Sequence, residues 1–218
     1  MSNDLAKFED DFSFVRDHVS DFFDRGSVKR ALDLIDDVGI TGWEKWWQVE
    51  FCSWLAEHDG IGDWVMEEAF FTDLRRNLAK DTIAIDIGFR LKGFSKSEML
   101  FLELKQNGDW RRCIENMLLD VEKVDCAQTY SIENKIMIRN FFVVGIYPTG
   151  ETLKKEVHDY IQERAEDFGV DVDRAHVFTK FIQNRGGSGW LDSFPQFISG
   201  TWRIADYAAV CRVVRWSL

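Results

Sequence analysis

Three ionisable residues stand in runs that should carry none. Residues 82–89 read Thr82-Ile83-Ala84-Ile85-Asp86-Ile87-Gly88-Phe89, a branched and aromatic stretch interrupted by one acid. Seventeen residues later Met99-Leu100-Phe101-Leu102-Glu103-Leu104-Lys105 repeats the anomaly, with an acid and a base two apart. Desolvating a lone charge costs several kcal/mol even after relaxation, so each carboxylate needs a cation, a metal or several donors. Side chains alternate faces along a strand, so Glu103 and Lys105 project to the same side, and Asp86 joins them at one sheet edge if its strand is adjacent. Two carboxylates and the neighbouring backbone carbonyl of Leu104 are the hard oxygen donors that Mg²⁺ or Mn²⁺ takes, leaving water positions for a substrate phosphate. A lysine beside them would orient or help deprotonate the attacking water and balance charge in the transition state. The chemistry implied is hydrolysis of a phosphodiester.

The elements that must position these residues follow from periodicity. Leu5, Phe8, Phe12, Val15, Val19 and Phe22 recur at helical steps over residues 4–24, with acids between them. A shorter helix over Ser27–Val38 buries Leu32 and Ile35 and stops at Gly39. Thr41-Gly42-Trp43-Glu44 has the form of a capping box opening a third helix, which runs to about His58. Residues 64–71, 82–91 and 99–106 are short, branched and aromatic, and predict a three-strand meander. Asp109 can cap a helix over 110–126, whose apolar face is Cys113, Ile114, Met117, Leu118, Val121 and Val124. A buried strand over 141–147, an amphipathic helix over 151–168 and a strand over 175–183 complete the order, and residues 200–218 give no decision. With no linker or repeat, the chain reads as one folded unit of the α/β class, with an N-terminal helical addition (1–40) on an α/β domain (41–218).

Asp86 followed by Glu103-Leu104-Lys105, between a preceding and a following helix, resembles the PD-(D/E)xK nuclease superfamily. The resemblance implies a restriction-endonuclease-like core of helix, three-strand meander, helix and strand, spanning residues 41–147. It further implies that Asp86 and Glu103 bind metal, that Lys105 is the catalytic lysine, and that Glu50 on the first core helix is an accessory acid reaching the ion. Ile85 stands where the family motif has proline, and Gln128 and Tyr130 lack the spacing of the Gln-helix-Tyr motif of RecB-like nucleases. The activity implied is metal-dependent endonucleolytic cleavage of DNA, by one chain or by two copies paired to cut both strands.

Charge is unevenly spread beneath a net −11. Residues 1–74 hold six basic and eighteen acidic residues, residues 75–112 nine and five, and residues 113–218 twelve and fifteen. The total would repel a polyanion at long range, but the central basic block brackets the candidate site. Arg75, Arg76, Lys92, Lys96, Arg111 and Arg112 are therefore the candidate phosphate contacts. The acidic N-terminal helices would face away from nucleic acid or meet a protein partner. The competing reading is a non-catalytic protein of the same fold whose acidic face binds a basic partner, as an inhibitor or DNA mimic. Cys52, Cys113, Cys126 and Cys211 lack zinc-site spacing and read as reduced core thiols, while the four histidines are scattered and read as ordinary. No run is long enough to span a bilayer, and the start of the sequence lacks a secretory pattern, so a cytoplasmic location is expected.

Overall fold

The computed structural model describes residues 3–72, 81–124, 126–148, 154–168, 176–183 and 201–208. Three helices come first: α1 (Asn3–Asp24), α2 (Gly26–Val38) and α3 (Glu44–Glu57). Their apolar stripes bury Val15, Val19, Phe22 and Phe23 on α1, Val28 and Leu32 on α2, and Trp47, Phe51 and Leu55 on α3. These side chains form one cluster with Ile87, Phe89, Leu100, Leu102, Leu104, Phe142 and Val144 of the sheet. The first two helices thus share a core with the sheet. α2 stops at Gly39, whose φ of +67° suits glycine, and the Ile40 N–H returns to the Ile35 carbonyl at 2.9 Å. The capping box expected at Thr41 is not formed. α3 starts after Trp43 without a side-chain cap, and Glu44 accepts the Gln106 N–H at 2.8 Å instead. A strand N–H without another partner competes better for the carboxylate than a helix-start donor that water can reach.

The architecture is mixed α/β. Strands β1 (Ile61–Thr72), β2 (Thr82–Leu91) and β3 (Glu98–Gln106) form an antiparallel meander. Helix α4 (Trp110–Val124) then leads through the short β4 (Ala127–Ser131) to β5 (Met137–Pro148), which runs parallel to β3 from Glu98↔Met137 to Gln106↔Ile146. β4 links β5 back to β1 through Tyr130↔Met137 and Phe70↔Ser131, so the five strands nearly close on themselves. After α5 (Lys154–Ala165), β6 (His176–Gln183) and β7 (Thr201–Ala208) extend the sheet, with β7 antiparallel to β5. The sequence pattern does not anticipate β4 or β7. β4 is five residues with little apolar alternation, and its extended form comes from its neighbours' hydrogen bonds.

Side-chain alternation sends β3 and β5 residues to two layers. Leu100, Leu102, Phe142 and Val144 meet α1–α3, whereas Met99, Phe101, Phe141 and Val143 pack with Ile114, Met117 and Val121 of α4 and Ile161 of α5. At Gly145 of β5 any Cβ would collide with Met117 Sδ, so the glycine lets α4 lie close against the sheet. Among the described residues, no helix is long and apolar enough to cross a membrane.

Polar side chains at two places tie α1 to elements beyond α2. Asp11, 1% exposed, accepts from Arg139 Nε at 2.8 Å and from Asn140 Nδ2 at 2.5 Å, joining α1 to the start of β5. Higher along α1, His18 meets His58 at the end of α3 with 3.1 Å between their Nε2 atoms. The other ring nitrogens fix the tautomers. His18 Nδ1–H donates to the Phe14 carbonyl at 2.8 Å, and His58 Nδ1 accepts the Gly60 N–H at 3.1 Å, so His58 Nε2–H donates to His18 Nε2. Both rings must be neutral for every bond to hold. Forty positions of sequence separate them, so spacing along one helix could not reveal the pair.

Burial lowers the His18 pKa first; the Phe14 carbonyl, Asp21 and Asp17 pull it up, and His58 pushes it down further. An unfolded histidine titrates at about 6.5, so as pH drops below about 7 the unfolded state binds more protons than the folded state and stability is lost. Between about pH 7.5 and about pH 5.5, the melting temperature of the wild type is expected to drop more steeply than that of His18→Leu. Parallel curves would show that the pair does not couple protonation to folding.

Candidate active site

The site begins where β2 leaves β3. Their ladder holds at Ile87↔Leu102, Gly88↔Phe101 and Phe89↔Leu100, with no further pairs toward the start of β2. At the next position Asp86 faces Glu67 across β1, as the flanking pairs Met66↔Ile87 and Glu68↔Ile85 require. Glu67 has a φ of +53°, a left-handed conformation that costs a non-glycine residue on the order of 1–2 kcal/mol. The strand pair coils there. Ile85 packs in the α4 layer while Ile87 and Phe89 pack in the α1–α3 layer, although simple alternation would keep all three together.

Side chains occupy the gap that the diverging strands leave. Asp86 Oδ2 accepts the Leu104 N–H at 2.8 Å, and the Asp86 N–H donates to Glu103 Oε2 at 3.2 Å. Glu103 Oε1 lies 2.8 Å from Lys105 Nζ, so the three residues singled out by type meet at one opening. α3 closes it on one side: buried Gln48 donates through Nε2 to Asp86 Oδ1 at 2.5 Å and accepts from Lys45 Nζ at 3.0 Å, and Lys45 also pairs with Glu67. α4 closes it on the other, where Asp120 Oδ2 lies 2.8 Å from Lys105 Nζ and Asp120 Oδ1 lies 2.6 Å from Lys123 Nζ.

Glu50 is not part of this group. It lies two residues from Gln48, about 200° around the helix, and Gln48 is the α3 side chain on Asp86. Sequence reasoning also missed Gln48 and Asp120. A buried glutamine leaves no pattern, but Asp120 carries a signal, since it falls on the stripe of Cys113, Met117, Val121 and Val124 where an apolar residue belongs.

The phosphate-contact candidates separate. Arg75 and Arg76 lie outside the described residues. Lys92 and Lys96 are exposed in the β2–β3 turn, six or more residues from Asp86 and so about 20 Å along the strand. Arg111 and Arg112 are exposed on the first turn of α4, beyond the end of β3 that carries Lys105. Asp109 caps that turn by accepting the Arg111 N–H at 2.9 Å. The Arg111 guanidinium lies 4.3 Å from the Trp110 ring centre, and that ring meets Tyr160 edge-on. Trp43 and Trp47 are buried in the core; Trp190 and the side chain of Trp202 lie outside the described residues. Cys52, Cys113 and Cys126 are buried, and Cys211 lies outside the described residues.

Ionisation at the opening is strained. Burial raises the Asp86 pKa, which the Leu104 N–H and Lys105 only partly offset. Burial and then the Asp86 charge push the Glu103 carboxyl up to about 7. Burial alone would lower the Lys105 pKa, but Glu103 and Asp120 outweigh it, so this group stays an ammonium. Among the described residues, no cluster of three or more His, Cys, Asp or Glu side chains is arranged to hold a metal. The donors present are the Asp86 and Glu103 carboxylates and the Leu104 carbonyl. In a strand the N–H and C=O of one residue point to the same edge, so this carbonyl faces the gap with the N–H that Asp86 binds. Two carboxylates and one carbonyl fit a hard divalent ion that keeps several waters.

An acid whose folded-state pKa exceeds its unfolded value loses stability as pH rises between the two. For Glu103 that window runs from about 4.5 to about 7. The melting temperature of Glu103→Gln minus that of the wild type is therefore expected to grow between about pH 5 and about pH 8, by roughly 2–4 °C for each kcal/mol of relieved cost. A difference that stays flat across this range would show that Glu103 ionises freely.

Protein-family models, curated proteins and solved structures were all compared with the chain, and none of them matches it.

Proposed function

We propose that the chain is a divalent-metal-dependent nuclease that hydrolyses phosphodiester bonds in DNA. The observation that carries this reading is the meeting of Asp86, Glu103 and Lys105 at the point where β2 and β3 part, between α3 and α4. The order around it is helix, three-strand meander, helix and, after the short β4, a strand parallel to the third, which resembles the restriction-endonuclease-like core.

Asp86, Glu103 and the Leu104 carbonyl would hold Mg²⁺ or Mn²⁺. A bound ion there supplies Lewis-acid polarisation of a phosphoryl oxygen and a more acidic water. The chain's own groups do the rest. Gln48 and the Leu104 N–H each donate to one oxygen of Asp86, fixing the carboxylate's orientation while both oxygens keep a further lone pair. Lys105 brings an ammonium with three N–H donors to orient the attacking water and offset charge on the transition state. Of the basic residues expected as phosphate contacts, Arg111 and Arg112 are the described pair near the same end of β3, and they would help hold a phosphate backbone against the chain's overall repulsion.

With Mg²⁺, the pure protein is expected to cleave members of a panel of duplex and single-stranded DNA, with RNA run alongside. Asp86→Ala and Lys105→Ala are each expected to slow cleavage at least about a hundredfold with the circular dichroism spectrum unchanged. Cleavage surviving both substitutions would remove the proposal. Salt-sensitive binding to a basic protein without cleavage would favour the non-catalytic reading.

A further inference from the structure

We infer that Asp120 is a positioning residue of this site: it holds the Lys105 ammonium partly away from Glu103, so that the Asp86–Glu103 pair stays open to a divalent cation. The inference rests on reading that pair as the metal centre.

Asp120 is 5% exposed on a helix face otherwise made of Cys113, Met117 and Val121. A carboxylate there is costly unless paired, and an aliphatic side chain would suit the packing better. It is paired twice, with Lys105 at 2.8 Å through one oxygen and with Lys123 at 2.6 Å through the other. Lys105 Nζ stands as far from Glu103 Oε1, also 2.8 Å, so its charge is divided between two acids on different elements. The backbone arranges for this. Gly145 is opposite Lys105 in the β3–β5 register and is the position against which Met117 packs, so α4 comes down directly over the lysine. Lys123 satisfies the second oxygen of Asp120, which limits how strongly Asp120 draws Lys105.

Removing Asp120 would leave the four-carbon stem free to bring the ammonium wholly onto Glu103. The ammonium and a divalent cation then compete for the same oxygens. A different explanation would be that Asp120 merely adds negative charge to the region. The two separate in a double-mutant cycle, because only the first makes the effect of Asp120 depend on Lys105.

The experiment is calorimetric titration of the full chain with Mn²⁺ for the wild type, Asp120→Asn, Lys105→Met, the double variant and Asp86→Asn, with thermal unfolding to verify folding. Asp120→Ser is carried alongside, so that misfolding of one variant does not decide the result. Asp120→Asn is expected to weaken Mn²⁺ binding about tenfold when Lys105 is present, and less than about twofold in the Lys105→Met background. An equal loss in both backgrounds would show that Asp120 acts as bulk charge and would overturn the inference. Unchanged affinity in Asp120→Asn, with binding abolished by Asp86→Asn, would also overturn it while leaving the metal centre intact. A wild type without Asp86-dependent Mn²⁺ binding would instead refute the metal-centre reading, and the inference would fall with it.

Discussion

Backbone donors left unpaired where β2 parts from β3 govern the chemistry of this protein. A buried N–H without an acceptor costs about 1–3 kcal/mol, and a carboxylate is among the strongest acceptors available. Asp86 takes the N–H of Leu104, Glu44 takes that of Gln106, and Glu103 takes that of Asp86. Three acids are thereby drawn to one opening by the needs of the main chain. Their mutual repulsion remains, and Lys105 relieves only part of it. The pKa values of Asp86 and Glu103 are raised by burial first and by that unrelieved charge second.

The opening keeps its shape because packing clamps it from two sides. α3 is set by Trp47, Phe51 and Leu55 in the layer shared with α1 and α2, which fixes the position of Gln48 over Asp86. α4 is set by Met117 against Gly145 and by Cys113 and Ile114 in the opposite layer, which fixes Asp120 over Lys105. The coil at Glu67 and Asp86 divides β2 between the two layers. A strand confined to one layer would have continued its ladder with β3 and left no gap for side chains to fill.

Electrostatics and location agree only in part. The central basic block is continuous in sequence but not in space: Arg111 and Arg112 sit toward the site end of β3, and Lys92 and Lys96 at the far turn of the hairpin. A nucleic acid held at the opening would have to extend along α4 toward its first turn to meet the first pair. The second pair could touch it only along a longer path across the sheet, as a strand rises about 3.3 Å per residue.

Much of the helical and strand order was legible in the sequence because burial writes a period of 3.6 or 2 into the chain. Asp86, Glu103 and Lys105 were legible because charge inside an apolar run breaks that period. Glu50 was named from its place on the helix alone, and without the helix rotation that place does not say which side chain meets Asp86; on α3 it is Gln48. Glu44 was read as a local cap, although its partner lies on β3, and β4 took its form from partners rather than from its own residues. Residue order alone settles which segments bury a face and which charges must find company. The company itself comes from the fold, which pairs His18 with His58, Gln48 with Asp86 and Asp120 with Lys105, because such contacts depend on how elements rotate and approach, and local periodicity holds no record of either.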